Sequence, residues 1–313
     1  MPDKIKKLIS QNSPCKTIKF NEPMSPYTSF KIGGPADILL IPDSILEFTQ
    51  TIDFLKLQHI PFVIIGGGTN LLISDLGIRE VVVLTTSLDK IQITSNKITA
   101  ECGAQVKQIC EAAQTHSLSG LEFIYGMPGT IGGAAWMNAR CYGSEIADVL
   151  KSVHYLDHQQ NVVEYIFNAN DFSYKKSPFQ KSLHPLLKIT LLLKEDDKSK
   201  INQTMQENIE DRQKKGHFKF PSAGSIFKNN RDFKIPTGKI LDELGLRGFT
   251  IGDAQIAPYH GNIFINLGQA KATDVLNLMK HASQLAFHKK QIRLEPEICF
   301  LGEWDKNDLN FSN

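Results

Sequence analysis

The chain has 313 residues, and its 35 Lys and Arg against 33 Asp and Glu give a formal net charge of +2. That balance, with no stripe of basic and aromatic residues, argues against a nucleic-acid-binding protein. A hydrophobic content of 41% is enough for a buried core, and the length indicates two or three domains. The five cysteines include no C-x-x-C pair, which favours a reducing compartment over a disulfide framework or a metal site. No segment resembles a signal peptide or a membrane span, so we expect a cytoplasmic protein.

Apolar patterning predicts strands and helices along most of the chain. A βαβ-like unit comes first, with a turn at Gly33-Gly34-Pro35, a strand up to Ile41 and a helix over 43–58 that Asp43 or Ser44 caps. The other predicted strands lie at 62–65, 71–73, 81–84, 91–93, 98–101, 149–155, 161–167, 186–193, 263–267 and 292–300. The other predicted helices lie at 106–113, 201–215, 240–244 and 273–285. A polar stretch at 194–202 is a candidate domain boundary.

Three consecutive glycines follow the predicted strand at 62–65 and lead through Thr69 and Asn70 into the next strand. Residues without a Cβ atom can turn several N–H groups into one concavity, which suits a pyrophosphate or another anion. For this stretch alone, a tight turn between two strands stays open as the alternative. The spacing fits neither the phosphate loop of NTPases nor a dinucleotide-binding turn, whose third glycine is replaced here by Leu71.

A second glycine cluster has the sequence GMPGTIGGAAWMN and runs from Gly126 to Asn138. Its glycines lie three apart, Pro128 fixes one φ angle, and two small alanines follow. The segment leaves room for a large flat group against the backbone, and close helix packing on small residues is the alternative. The occurrence of two such loops in one chain favours a bound cofactor.

Seven motifs occur between Tyr27 and Gly302: TSFKIGGPA, IIGGGTNLL, GMPGTIGGAAWMNA, SYKKS, PSAGSIFKN, GLRGFTIGDAQIAPYHGNIFIN and EPEICFLG. Their order resembles that of the UDP-N-acetylenolpyruvoylglucosamine reductase family, in the short form without an extra substrate-covering loop. The resemblance implies an FAD enzyme that uses NADPH to reduce UDP-N-acetylglucosamine enolpyruvate to UDP-N-acetylmuramate in cytoplasmic peptidoglycan precursor synthesis. We expect a monomer without membrane insertion.

The resemblance also implies an α+β fold. Its parts would be a two-lobed FAD-binding region of the vanillyl-alcohol-oxidase (PCMH) type and a C-terminal α+β substrate domain. By that likeness lobe 1 spans 20–85, and lobe 2 spans 86–219 and is completed by a returning strand at 292–303. The substrate domain spans 220–291, and residues 1–19 and 304–313 are terminal extensions.

The same likeness assigns ligand contacts to individual residues. The implied FAD contacts are Gly66, Gly67, Gly68, Thr69, Asn70, Leu71, Pro128, Gly129, Thr130, Gly132, Gly133 and Asn138. The implied substrate contacts are Lys175, Asn229 and Asn262.

The implied reaction adds a hydride from the flavin to the methylene carbon of an enolpyruvyl ether and a proton to the neighbouring carbon. Ser225, in the family's A-G-S-x-F-K-N motif, is the predicted proton donor, and Lys228 would favour its proton loss. From the residues alone, a loop serine bonded to backbone is the alternative. Glu297 matches the glutamate of the family's P-E-V motif, and its neutral form would donate a hydrogen bond to the intermediate. Glu295 is expected to be a solvated carboxylate.

Two positions depart from the family pattern. Lys175 stands where the Y-R-x-S motif has an arginine that holds the substrate carboxylate, so the charge is kept and the planar fork is lost. We assign this catalytic contact to Lys175, and the role of Lys176 stays open. Arg140 stands beside the flavin loop where the family usually has glycine, and it would either shift cofactor contacts or add a cation.

Two other functions stay open at this point. An FAD-dependent oxidase of the same fold could act on a small alcohol, but many such enzymes tether FAD through an N-terminal histidine, and no histidine precedes His59. A catalytically silent nucleotide-binding module is the second alternative. Turnover of NADPH with the enolpyruvyl sugar separates it from an enzyme.

Overall fold

The structure is a computed structural model that describes residues 1–182, 184–305, 309 and 311. The helices are α1 Asp3–Asn12, α2 Ile45–Leu57, α3 Val106–Thr115, α4 Ile131–Met137, α5 Phe179–Ser182, α6 Lys198–Lys214, α7 Thr237–Glu243 and α8 Ala272–Lys290. Within the described residues, none of them is long and apolar enough to cross a membrane.

The strands are short and are spread over the whole chain. The first ten are β1 Ile18–Pro23, β2 Pro35–Leu40, β3 Phe62–Ile65, β4 Leu71–Ile73, β5 Ile78–Leu84, β6 Ile91–Thr94, β7 Lys97–Glu101, β8 Leu118–Ser119, β9 Arg140–Cys141 and β10 Ser144–Glu145. The others are β11 Leu150–Leu156, β12 Val162–Ile166, β13 Leu186–Leu192, β14 Lys194–Glu195, β15 Ser222–Ser225, β16 Thr250–Ile251, β17 Ala254–Ile256, β18 Ile263–Asn266 and β19 Cys299–Leu301. Apart from the last predicted strand, the predicted strands and helices are confirmed, with shifts of a few residues at their ends.

The predicted helix over 43–58 shows why the pattern succeeds. The Ser44 side chain accepts a hydrogen bond from the amide of Glu47, so it caps α2 as expected. Phe48, Ile52 and Leu55 lie on one face and are fully buried. This helix delivers the chain to β3, which pairs in parallel with β5 in a sheet of order β1–β2–β5–β3.

The chain folds into two compact units. Unit 1 consists of Met1–Lys19, Leu39–Gly67 and Val81–Asp211, and unit 2 consists of Phe20–Ile38, Gly68–Glu80 and Arg212–Asn313. Each unit is assembled from three separate segments of the chain. The segment limits therefore differ from the limits at residues 85 and 219 that the resemblance implied.

Unit 1 is built on a five-stranded antiparallel sheet of order β12–β11–β13–β7–β6. Helices α3 and α4 pack against β7, and α4 also packs against β13. The apolar face of α3 is buried in this contact, with Val106, Ile109 and Cys110 each at most 1% exposed. The strands predicted at 149–155 and 161–167 are confirmed as β11 and β12, which form an antiparallel hairpin at the outer part of this sheet.

Unit 2 contains a four-stranded antiparallel sheet of order β15–β18–β17–β16, on which α8 packs. Phe227 and Phe264 lie edge to face in its core, with ring centroids 6.1 Å apart, and Met279 of α8 belongs to the same cluster. This core fixes the start of the segment that follows β15.

The last predicted strand is largely wrong. Strand β19 begins only at Cys299, and before it Pro296 forms an isolated bridge with Phe227. A proline has no N–H to donate to a ladder, so the alternating pattern of 292–300 does not become a continuous strand. Strand β19 pairs in parallel with β4 within unit 2, so the returning strand does not complete the sheet of lobe 2 as predicted.

Candidate active site

The two glycine loops meet at Gly66, Gly67, Gly129 and Thr130, all in unit 1. A Cβ atom on Gly66 would lie 2.5 Å from the Thr130 hydroxyl, and one on Gly67 would lie 2.8 Å from the Cα atom of Gly129. Both distances are too short for a side chain, so glycine is needed at each position because of this close approach.

The same four residues present unused backbone donors. Within the part of the chain that the structure describes, the amides of Gly66, Gly67, Gly129 and Thr130 donate no hydrogen bond to the protein. Neighbouring backbone N–H groups without protein acceptors can form an anion-binding concavity. The residues therefore fit the diphosphate of a dinucleotide such as FAD.

The rest of the first loop belongs to unit 2. Gly68 has a φ of +61°, and a Cβ atom there would lie 2.0 Å from the carbonyl oxygen of Tyr27. Asn70 donates its side-chain N–H to the carbonyl of Glu297 at 3.0 Å, and its own carbonyl accepts from the amide of Cys299. Leu71 begins β4 and pairs with Cys299. Asn70 and Leu71 thus fix the backbone around Glu297.

The end of the second loop is largely committed to protein contacts. The amide of Gly132 donates to the carbonyl of Cys102 at 2.8 Å, and a Cβ atom on Gly132 would lie 2.7 Å from that oxygen. The Gly133 amide faces the Thr130 hydroxyl, which caps α4 at 3.4 Å. Packing therefore accounts for Gly132, while Gly133 and Pro128 remain exposed.

Asn138 is fully buried, and its side chain is used within unit 1. Its amide group donates to Glu145 and to the carbonyl of Ser173, both at 3.1 Å, and its oxygen accepts from the amide of Ala147 at 3.0 Å. Asn138 ends α4 in a left-handed conformation, with a φ of +45°. We therefore assign it a positioning role rather than a direct cofactor contact.

Ser225 and Glu297 come together in unit 2. Ser225 is the last residue of β15 and is half-buried, and its hydroxyl has no hydrogen-bond partner among the described residues. The next residue, Ile226, accepts a hydrogen bond from the Glu297 amide at 2.7 Å. The predicted proton donor and the predicted carboxyl group therefore lie on two segments that are bonded to each other.

Asn262 holds the segment that follows Ser225. It is 2% exposed, and its side chain accepts from the amide of Phe227 at 3.0 Å and donates to the carbonyl of Phe227 at 2.7 Å. Its backbone amide donates to Nδ1 of His260 at 3.1 Å. Burial lowers the pKa of His260, and the opposing effect of Asp242 is smaller. His260 is thus held as a neutral acceptor, a role that sequence reasoning missed although the H-x-N spacing could have suggested it.

Asn229 and Lys228 also hold this segment. The Asn229 side chain accepts from the amide of Thr237 at the start of α7, at 2.9 Å. The Lys228 ammonium lies 2.5 Å from a carboxylate oxygen of Glu295. Lys228 therefore forms an ion pair with Glu295, and we do not assign it to proton loss from Ser225. The Glu295 side chain is 70% exposed, as expected.

Lys175 lies in a tight turn of unit 1. Ser173 and Lys176 exchange backbone hydrogen bonds, and Lys175 has a φ of +58°, which is uncommon for a residue with a side chain. The carbonyl of Lys175 accepts from the Gln180 side chain at 3.0 Å. Lys175 is half-buried and Lys176 is exposed, so the two lysines differ in environment, and the contact of Lys175 with the substrate stays a prediction.

Comparisons with known proteins match two long segments of the chain. Residues 36–165 match the family model of an FAD binding domain, and residues 216–301 match that of the UDP-N-acetylenolpyruvoylglucosamine reductase C-terminal domain. The reductase of Borreliella burgdorferi is 42% identical to the chain, and the match covers 88% of this chain and 92% of that protein. The reductase of Treponema denticola is 41% identical, and the match covers 92% of this chain and 94% of that protein.

A solved structure gives the same result. The crystal structure of UDP-N-acetylenolpyruvylglucosamine reductase from Thermus caldophilus is similar to the chain with a TM-score of 0.77 and 31% identity, and the match covers 91% of this chain and 98% of that one. The predicted α+β class, with an FAD-binding region and a C-terminal α+β domain, is confirmed.

Proposed function

Because the chain belongs to the UDP-N-acetylenolpyruvoylglucosamine reductase family, we propose that it reduces UDP-N-acetylglucosamine enolpyruvate to UDP-N-acetylmuramate, with NADPH as the electron donor. It is an FAD-containing oxidoreductase, and this reaction belongs to peptidoglycan precursor synthesis. A bound FAD would supply hydride transfer between NADPH and the methylene carbon of the enolpyruvyl group.

The two glycine loops would hold the cofactor. The amides of Gly66, Gly67, Gly129 and Thr130 have no protein acceptors, and the diphosphate would supply oxygens for them. The close approach of the two loops leaves no room for a side chain at Gly66 or Gly67, so the concavity is formed before the cofactor binds. A preformed set of donors binds without an ordering cost when the anion arrives.

Ser225 would donate the proton that completes the reduction. One observation carries this assignment: the Ser225 hydroxyl has no partner among the described residues, while its segment is bonded to that of Glu297. The carbon that receives the proton bears the ether oxygen and the carboxylate, so negative charge passes into that carboxylate during the reaction. A neutral Glu297 would donate a hydrogen bond to this charge, and Lys175 would stabilise it as a cation.

The four asparagines predicted as ligand contacts divide into two roles, and Asn138 has the positioning role described above. Asn262 and Asn70 are engaged by the protein and would position Ser225 and Glu297. Asn229 is exposed and bonds to the start of α7 through its oxygen, which leaves its amide hydrogens for the substrate. Substrate contact therefore stays proposed for Asn229 and Lys175.

The visible spectrum of the purified protein under anaerobic conditions tests this function. Adding NADPH should bleach a flavin band, and adding the enolpyruvyl sugar should restore it. A band that bleaches and never recovers contradicts the proposed substrate. It would favour another substrate, such as the small alcohol of an oxidase. Absence of a flavin would contradict the cofactor site, and a flavin that NADPH does not reduce would indicate a silent binding module.

Two serines of β15 provide a matched pair for the proton donor. Ser225→Ala should still be reduced by NADPH, but flavin reoxidation by the substrate should slow by about a hundredfold or more. Ser222→Ala, three residues earlier on the same strand, should reoxidise at the wild-type rate. Equal rates in the two variants would remove Ser225 from the reaction.

A further inference from the structure

Arg140 places a guanidinium group beside the turn that carries Lys175. Its Cζ atom lies 6.0 Å from the ring centroid of Tyr174, the residue immediately before Lys175. The Arg140 side chain is 33% exposed, so it is neither withdrawn into the core nor extended into solvent. A cation that stacks on an aromatic face is restrained in orientation.

Most donors of this guanidinium are unused. Nη1 of Arg140 lies 3.5 Å from a carboxylate oxygen of Glu145, at the outer limit of a hydrogen bond. The structure gives Nε and Nη2 no acceptor among the described residues. A guanidinium has five N–H donors arranged as a planar fork, so a two-point contact to an incoming carboxylate is available.

Side-chain hydrogen bonds fasten the segment of Arg140 to the segment of Lys175. Asn138 donates to the carbonyl of Ser173 at 3.1 Å, and the Ser177 hydroxyl donates to the carbonyl of Trp136 at 2.6 Å. Both bonds lie within unit 1, and they join residues just before Arg140 to residues on either side of Lys175. Asn138 also donates to Glu145, so the carboxylate that orients Arg140 is itself held.

We propose that Arg140 supplies the planar contact to the carboxylate of the enolpyruvyl group, with Lys175 as a second cation. The inference rests on the proposed function, because it assigns a residue to the substrate of that reaction. Both departures from the family pattern then have one explanation. The guanidinium missing at position 175 is provided from position 140, and the charge remaining at 175 assists it.

A surface ion pair between Arg140 and Glu145 is the competing interpretation. A partly exposed pair at 3.5 Å contributes little to stability, and its loss would leave substrate binding unchanged. The two interpretations therefore differ in a measurable way, through discrimination between ligands with and without a carboxylate.

Ligand affinity of the oxidised flavoprotein tests the proposal independently of turnover. We compare the enolpyruvyl sugar nucleotide with UDP-N-acetylglucosamine, which lacks the carboxylate, by calorimetry. Arg140→Gln should weaken binding of the enolpyruvyl compound by about 10- to 100-fold and leave UDP-N-acetylglucosamine unchanged. Arg140→Lys should lie between wild type and Arg140→Gln, since it keeps the charge without the fork. Equal loss for both ligands, or no loss, would overturn the proposal.

A rescue experiment adds a readout that a structural role would not give. Flavin reoxidation by the substrate should be slow in the Arg140→Gln variant. Introducing Lys175→Arg into that variant should raise this rate by at least tenfold. Lys176→Arg, which adds an arginine at the exposed neighbouring position, should restore nothing. Rescue by both substitutions, or by neither, would contradict the pairing of positions 140 and 175.

Failure of the proposed function is distinguishable from failure of this inference. If the wild-type protein binds the enolpyruvyl sugar but does not turn it over, the proposed function fails. The affinity ratio, meaning the affinity for the enolpyruvyl compound divided by that for UDP-N-acetylglucosamine, still decides the role of Arg140. Flavin content and the unfolding midpoint of each variant confirm that it is folded. If Arg140→Gln loses its flavin, the affinity ratio of Arg140→Lys decides, and a ratio equal to that of wild type overturns the proposal.

Discussion

Replacing Asn262 by alanine separates the stability of unit 2 from the position of Ser225, the proposed proton donor. The substitution removes two hydrogen bonds, at 3.0 and 2.7 Å, from the backbone of buried Phe227. Each buried group left without a partner costs about 1–3 kcal/mol, so the free energy of unfolding should fall by about 2–6 kcal/mol. The segment after Ser225 also loses the contact that fixes it, and displacement of a reacting group by about 1 Å costs about a hundredfold in rate.

Asn266 provides the matched control for this substitution. It ends β18, the strand that begins directly after Asn262, is 3% exposed, and makes three comparable hydrogen bonds with Phe30, Gly268 and Ala270. Asn266→Ala should therefore lose similar stability. It has no bond to the segment that follows Ser225, so its catalytic rate should stay within about threefold of the wild-type rate, below the hundredfold effect expected of Asn262→Ala.

Urea unfolding measures the first effect, and stopped-flow recording of flavin reoxidation by the substrate measures the second. We expect both variants to show lower urea midpoints and only Asn262→Ala to show slow reoxidation. A normal rate in a destabilised Asn262→Ala variant would refute the reasoning, because Ser225 would then be positioned without this contact. Equal slowing in both variants would refute it as well, since general loosening would explain the rates.

The remaining predictions concern the cofactor loops and the pH dependence of stability. Gly67→Ala should lower flavin content and weaken FAD affinity by at least tenfold, because its Cβ atom would lie 2.8 Å from the Gly129 Cα atom. Gly143→Ala introduces backbone strain at a φ of +89° but its Cβ atom meets no neighbour, so it should lose some stability and keep its flavin. Burial lowers the pKa of His260 below its ordinary value of 6.5, so the unfolded chain binds the proton more readily as the pH falls through 6.5. The free energy of unfolding should therefore decrease from pH 7 to pH 5, and it should decrease less in His260→Gln.

Much of the site could be predicted because backbone requirements leave a direct mark in the sequence. A strand followed by consecutive glycines indicated a concavity, and the structure shows why: Gly66 and Gly67 touch the second loop with no room for a side chain. The sequence from Ser44 to Leu57 likewise indicated both the residue that caps α2 and the face of the helix that is buried. Such features depend on neighbours in sequence and on the presence or absence of a Cβ atom.

Features that depend on distant partners could not be read in the same way. The engagement of Lys228 by Glu295 joins residues far apart in sequence, and nothing near Lys228 indicates it. Asn262 was predicted to face substrate because it lies in a conspicuous motif, whereas its side chain is spent on Phe227. The final strand failed for a related reason, since alternation predicts which side chains are buried but not whether a ladder partner is present.

The parallel pairing of β19 with β4 has a consequence for how the protein is made. The two strands are separated by more than two hundred residues, so β4 leaves the ribosome long before its partner exists. At about 5–20 residues per second, the interval is roughly 10–50 s. During that time Leu71, Leu72 and Ile73 form an unpaired apolar edge, which is the kind of surface that chaperones cover. A stop codon shortly before residue 299 would therefore remove few residues and yet leave the edge of β4 permanently open, so the truncated chain should be degraded or aggregate.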